Sequence, residues 1–195
     1  FAPPYILMPH SASGVYAEYY AAAYPQEVSA LVLLDTTSSA ATEDMPAWLL
    51  RSVYAIARFQ QATGMLRLNT MLVPEPRLVE NGYTPGEIAD YRLFASHVVN
   101  DTVIGQAMAL MDNIRELEDK PVPADVPVLK LIARDTLNQM ADDNDRDGMG
   151  YQRAHLERLG PGASWEVLEG SHFLYHTQAG LIAQRTRAFL DQAGL

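Results

Sequence analysis

The stretch Pro9-His10-Ser11-Ala12-Ser13-Gly14 constrains this chain more than any other. An apolar segment, Tyr5-Ile6-Leu7-Met8, runs into it, and a helical pattern from Val15 to Tyr24 runs out of it and stops at Pro25. A strand, a tight turn carrying a serine and a helix, in that order, lift the serine oxygen clear of the sheet. The helix behind the turn offers free N–H groups and the positive end of its dipole to a developing negative charge. Ser11 therefore reads as a nucleophile. Pro9 fixes φ and donates nothing to a ladder, which suits the end of a strand. Residues 4–9 read as a short buried strand, 14–24 as a helix and 30–35 as a second strand. A unit of this kind joins parallel strands by a right-handed crossover.

The polar run 36–44 reads as a loop leading out of the sheet. From Met45 to about Glu118 the pattern turns helical, with Trp48, Leu49, Val53, Ile56, Ala57 and Phe59 near helical spacing. Gly64 and Pro74-Glu75-Pro76 interrupt it. Thr84-Pro85-Gly86-Glu87 predicts an N-cap, Pro at N1 and Glu at N3, opening a helix through Val98; another spans about Asp101 to Leu117. Lys120-Pro121-Val122-Pro123-Ala124-Asp125-Val126-Pro127 is a stiff linker back to a third strand, 128–133, which Arg134-Asp135-Thr136 closes. A helix around 149–159, a fourth strand at 165–168 and an amphipathic helix over 178–192 complete the chain.

Several function classes fall away on composition. A net charge of −10 supplies no basic patch to displace counterions from nucleic acid, and it disfavours anionic lipid. The chain has no cysteine, so disulfides, thiolate nucleophiles and cysteine zinc sites are excluded. No apolar run reaches membrane-spanning length. Asp143-Asn144-Asp145-Arg146-Asp147-Gly148 matches the first half of a calcium loop, but Ala154 stands where the bidentate Glu belongs, so a solvated acidic loop is the preferred reading. No metal and no cofactor are expected.

Around Ser11 the sequence resembles the G-H-S-x-G-G elbow of the α/β-hydrolases, with Pro9 and Ser13 in the first two glycine places and Gly14 in the third. Residues 16–28 and then Leu31-Val32-Leu33-Leu34-Asp35 look like that family's elbow helix and next strand. The resemblance implies an α/β fold with a partial parallel sheet flanked by helices. It places the core at 1–36 and 121–195, with a helical cap or lid inserted at 37–120. It also implies that the first strands of the fold lie outside this chain, and Phe1 in place of Met reads as a cut.

A serine nucleophile needs a base, and the base an orienting acid; in this family they come in the order serine, acid, histidine. His172, in Gly170-Ser171-His172-Phe173 after the last strand, stands where the family base does, with His176 as the alternative. His10 precedes the nucleophile and should point away from it, while His97 and His155 fall in helical patterns. For the acid, Asp135 ends the third strand in a segment resembling the family's Pro-x-L-x-x-x-G-x-x-D; Asp35, ending the strand before, is its rival. Ala12 would supply one oxyanion N–H. The resemblance then implies a serine hydrolase, esterase-like, taking a small to medium apolar acyl substrate. Serine at the elbow argues against members that alkylate an aspartate. The alternative is a hydrolase fold kept as a ligand-binding or interaction module.

Overall fold

Val28–Leu34 and Val128–Ala133 are nearly unbroken apolar runs, as strands buried on both faces must be. In the computed structural model, which describes residues 2–38, 47–97, 99–141, 145 and 147–195, they are the two central strands of a four-stranded parallel sheet. Strand β1 is Tyr5–Leu7, β2 is Val28–Leu34, β3 is Val128–Ala133 and β4 is Ser164–Leu168; they lie side by side in that order. β1 is shorter than the 4–9 expected. The pairing nevertheless runs on past Pro9, whose carbonyl accepts from the Leu34 N–H at 2.9 Å.

Side chains alternate along the central strands, and the two faces take different helices. Ala30, Val32 and Leu34 of β2 with Leu129, Leu131 and Ala133 of β3 pack on Ile182 and Phe189 of helix α9, Ala179–Ala193. Leu31 and Leu33 with Val128 face Ala21 of α1, Ser13–Ala23, and Leu159 of α8, Gly150–Leu159. On this second face Lys130 of β3 is fully buried. Its ammonium donates to His155 Nδ1 on α8, and His155 Nε2 donates to Glu18 Oε1 on α1 at 2.8 Å. Both Glu18 and His155 are buried as completely as the lysine. Burial lowers the pKa of His155, consistent with the neutral ring that bridges the two charged ends, and lowers Lys130 to about 8.

Between β2 and β3 the chain makes a separate helical unit, Glu43–Met111; Phe1–Thr42 and Asp112–Leu195 form the other. The division falls inside the expected 37–120, because α6, Asp101–Arg115, ends in the sheet-bearing unit. The helical unit also holds α2, Ala47–Thr63, α3, Met65–Leu72, α4, Pro76–Glu80, and α5, Pro85–His97. The cap expected on α5 is present: Thr84 N–H donates to Glu87 Oε2 at 2.8 Å and Glu87 N–H to Thr84 Oγ1 at 3.3 Å. Among the described residues, Leu78 and Ile104 are this unit's buried apolar side chains. The loop expected over 36–44 lies outside the described residues from 39 onward.

Candidate active site

Ser11 sits at the turn between β1 and α1 with φ 56°, in the left-handed region that non-glycine residues rarely adopt. The surroundings hold it there. Its N–H donates to Leu34 O at 3.3 Å, and its carbonyl accepts from the N–H groups of Gly14 and Thr37, both at 3.1 Å. Gly14 allows the helix to come this close, since a Cβ there would lie 2.5 Å from Thr36 Cβ. Strain of this sort costs about 1–3 kcal/mol and survives only where the packing around it insists. Its effect is to present the hydroxyl away from the strand.

His172 Nε2 lies 2.9 Å from Ser11 Oγ, and His172 Nδ1 lies 2.7 Å from Asp35 Oδ2. The carboxylate on the imidazole is therefore that of Asp35, not of Asp135. The reason lies in where β3 stops. The sequence suggests a strand closed by Asp135, but a helix, α7, begins at Arg134 and ends at Met140. That places Asp135 in the first turn of α7, where its N–H donates to Gly170 O at 3.1 Å, in the loop that carries His172. Asp35 stands at the end of β2 with φ 42°. Its carboxylate is almost wholly buried and accepts from three donors: Ala133 N–H at 2.9 Å, Thr136 Oγ1 at 2.5 Å and His172 Nδ1. Three converging donors fix its orientation.

The His172 side chain is 37% exposed, and Ser11 is half-buried. Among the described residues the Ala12 N–H, next to Ser11, meets no acceptor. His10 does not point away from this group as expected. Its Nε2–H donates to the His172 carbonyl at 2.8 Å, and the two rings lie 4.5 Å apart. Burial lowers the pKa of His10, in keeping with a neutral ring that donates through Nε2. His176 packs against Phe173 and Tyr175 just before α9, and it is His172 that meets Ser11.

The sequence reading missed Glu18 and Lys130 altogether. The signal available was a charge at an inward position of an otherwise apolar pattern, Lys130 within Val128-Leu129-Lys130-Leu131-Ile132 most clearly. Of the acidic loop, Asp143, Asn144 and Arg146 lie outside the described residues. Asp145 and Asp147 accept from the Gly150 and Met149 N–H groups at 2.7 and 3.0 Å. Among the described residues no group of three or more carboxylate or histidine side chains could hold a metal ion.

The fold is that of the α/β-hydrolases, in part: four parallel strands flanked by helices. It is similar to Cfl2 from Burkholderia cenocepacia, with a TM-score of 0.62 at 17% identity, covering 96% of this chain and 65% of that one. A thermophilic esterase from Thermogutta terrifontis matches with a TM-score of 0.61 at 16% identity, over 98% of this chain and 66% of its own. A carboxylesterase structure from the thaumarchaeon Nitrososphaera gargenis gives 0.59 at 15% identity, over 97% and 65%. The chain thus spans just under two thirds of the length of these proteins. In sequence it is 58% identical to the uncharacterized protein YbdG of Bacillus subtilis over 33 residues, 17% of this chain and 10% of that protein. No protein-family model matches the chain.

Proposed function

We propose that the protein is a serine hydrolase that cleaves an ester or related acyl bond through Ser11, His172 and Asp35. The observation that carries this reading is the continuous chain of contacts from Ser11 Oγ to His172 Nε2 and from His172 Nδ1 to Asp35 Oδ2. With Asp35 accepting from Nδ1–H, the neutral ring has its lone pair on Nε2, facing the hydroxyl. Ser11 Oγ attacks the acyl carbon while its proton passes to Nε2, and Asp35 stabilises the imidazolium. The Ala12 N–H donates to the oxyanion. The imidazolium then protonates the leaving alkoxide, and water, activated by the same nitrogen, releases the acid and regenerates Ser11. The inserted helical unit is read as this hydrolase's cap, and the substrate as a small to medium apolar acyl compound. The esterases among the structural neighbours support this class of reaction, and a non-catalytic module would have no use for a strained Ser11 aligned on a base.

Fluorophosphonate labelling of the protein tests the reading directly. The expected result is stoichiometric phosphonylation, mapped by mass spectrometry to the peptide carrying Ser11. A labelled peptide elsewhere, or no label on folded protein, would sink it.

His10 is expected to act through His172, as a positioning residue. His10→Ala removes the donor on the His172 carbonyl and should lower kcat by about tenfold, the worth of one hydrogen bond of about 1.4 kcal/mol, with KM nearly unchanged. His10→Gln, whose amide can reach the same carbonyl, should recover part of that loss. Equal kcat values for the Ala and Gln variants would refute the role.

A further inference from the structure

We propose that the groove between α3 and α5 in the helical unit is a second binding site, for a carboxylate-bearing amphiphile. The groove encloses about 550 Å³, within the usual range for small-molecule sites. Ala89, Arg92, Leu93 and His97 line it from α5 at helical spacing, so they form one stripe along that helix. Arg67 and Met71, four residues apart on α3, line the facing wall.

Charge gives the ligand its class. None of the lining residues is acidic, in a protein of net charge −10, yet two arginines, Arg67 and Arg92, are among them. Among the described residues neither Arg67 nor Arg92 has a carboxylate at ion-pair distance. Arg92 is held in place by its Nη2 bond to Val73 O at 3.1 Å, while its Nε is buried and meets no acceptor. A carboxylate is the group that a guanidinium fork fits best. Met71 and Leu93, 69% and 62% exposed, supply the apolar wall that an alkyl chain would cover. A medium-chain carboxylate satisfies both features, whereas a neutral alcohol satisfies one.

The experiment is calorimetric titration of the Ser11→Ala protein with decanoate, kept below its micellar concentration, and in parallel with decanol. The expected result is saturable one-to-one binding of decanoate, at least tenfold tighter than decanol. Arg67→Gln leaves the Arg92–Val73 bond untouched and should weaken decanoate binding roughly tenfold or more, as loss of a charged hydrogen bond does. The Arg67→Gln/Arg92→Gln pair should abolish it, with circular dichroism confirming the fold. Absence of saturable binding, equal affinity for decanol, or unchanged affinity in folded Arg67→Gln protein would each overturn the proposal. Labelling at Ser11 is read separately, so failure of one inference leaves the other standing.

Discussion

Asp35→Asn is expected to lower kcat/KM for p-nitrophenyl acetate by about 10³–10⁴, while Asp135→Asn leaves it within a few-fold of the parent. The difference comes from hydrogen-bond polarity. An asparagine at 35 would keep its amide oxygen on the Ala133 N–H and turn its amide nitrogen towards Thr136 Oγ1 and His172 Nδ1, at the contacts that Asp35 now accepts. Nδ1 would then have to accept, the proton would move to Nε2, and Nε2–H would face Ser11 with no lone pair to receive a proton. Geometry survives and chemistry fails. Asp135 meets the loop carrying His172 through its backbone N–H on Gly170 O, a bond that an asparagine keeps. Steady-state rates of the two variants beside Ser11→Ala decide the matter: equal loss in both, or loss in Asp135→Asn alone, would return the acid's role to Asp135.

The exchange of Asp135 for Asp35 shows where the sequence stops being legible. Strand and helix existence could be read from apolar runs and turn residues, and β3 begins and ends where the run 128–133 does. The start of α7 could not be read, because Arg134-Asp135-Thr136 carries no breaker to separate a strand end from a helix start. Whether a carboxylate at a strand end reaches the histidine depends on a side-chain direction. Here that direction is set by the positive φ of Asp35 and by donors more than ninety positions away in the chain. Ser11 could be proposed from sequence for the opposite reason: strand, turn, small residues and helix are all local. His10 was misread because its partner, the His172 carbonyl, is distant in sequence and bears no side-chain signature.

The buried Glu18–His155–Lys130 cluster should be the largest single determinant of stability outside the apolar core. Removing one charge of a buried pair leaves the other uncompensated and costs about 3–5 kcal/mol, whereas replacing the whole set by apolar side chains is often neutral or better. Glu18→Ala and Lys130→Met are each expected to lose that amount in urea unfolding at pH 7. Glu18→Leu/Lys130→Met/His155→Leu should lie within about 2 kcal/mol of the parent. The pH dependence has a definite sign. Lys130 is lowered by burial from 10.5 to about 8, against the opposing pull of Glu18 and Asp35. Between those two values the unfolded chain binds more protons than the folded one, so the parent gains stability as pH rises from 8 to 10.5, by up to about 3 kcal/mol. His155 is lowered by burial, with Lys130 and Arg158 adding to the effect and Glu18 opposing it. It therefore loses the parent stability as pH falls below 6.5, because the unfolded chain takes up its proton first. The triple variant lacks both groups, so its stability relative to the parent should fall as pH rises through the alkaline window and rise as pH falls through the acidic one. A difference between parent and triple variant that stays flat from pH 5 to 10 would mean that the three groups do not carry the charges assigned to them.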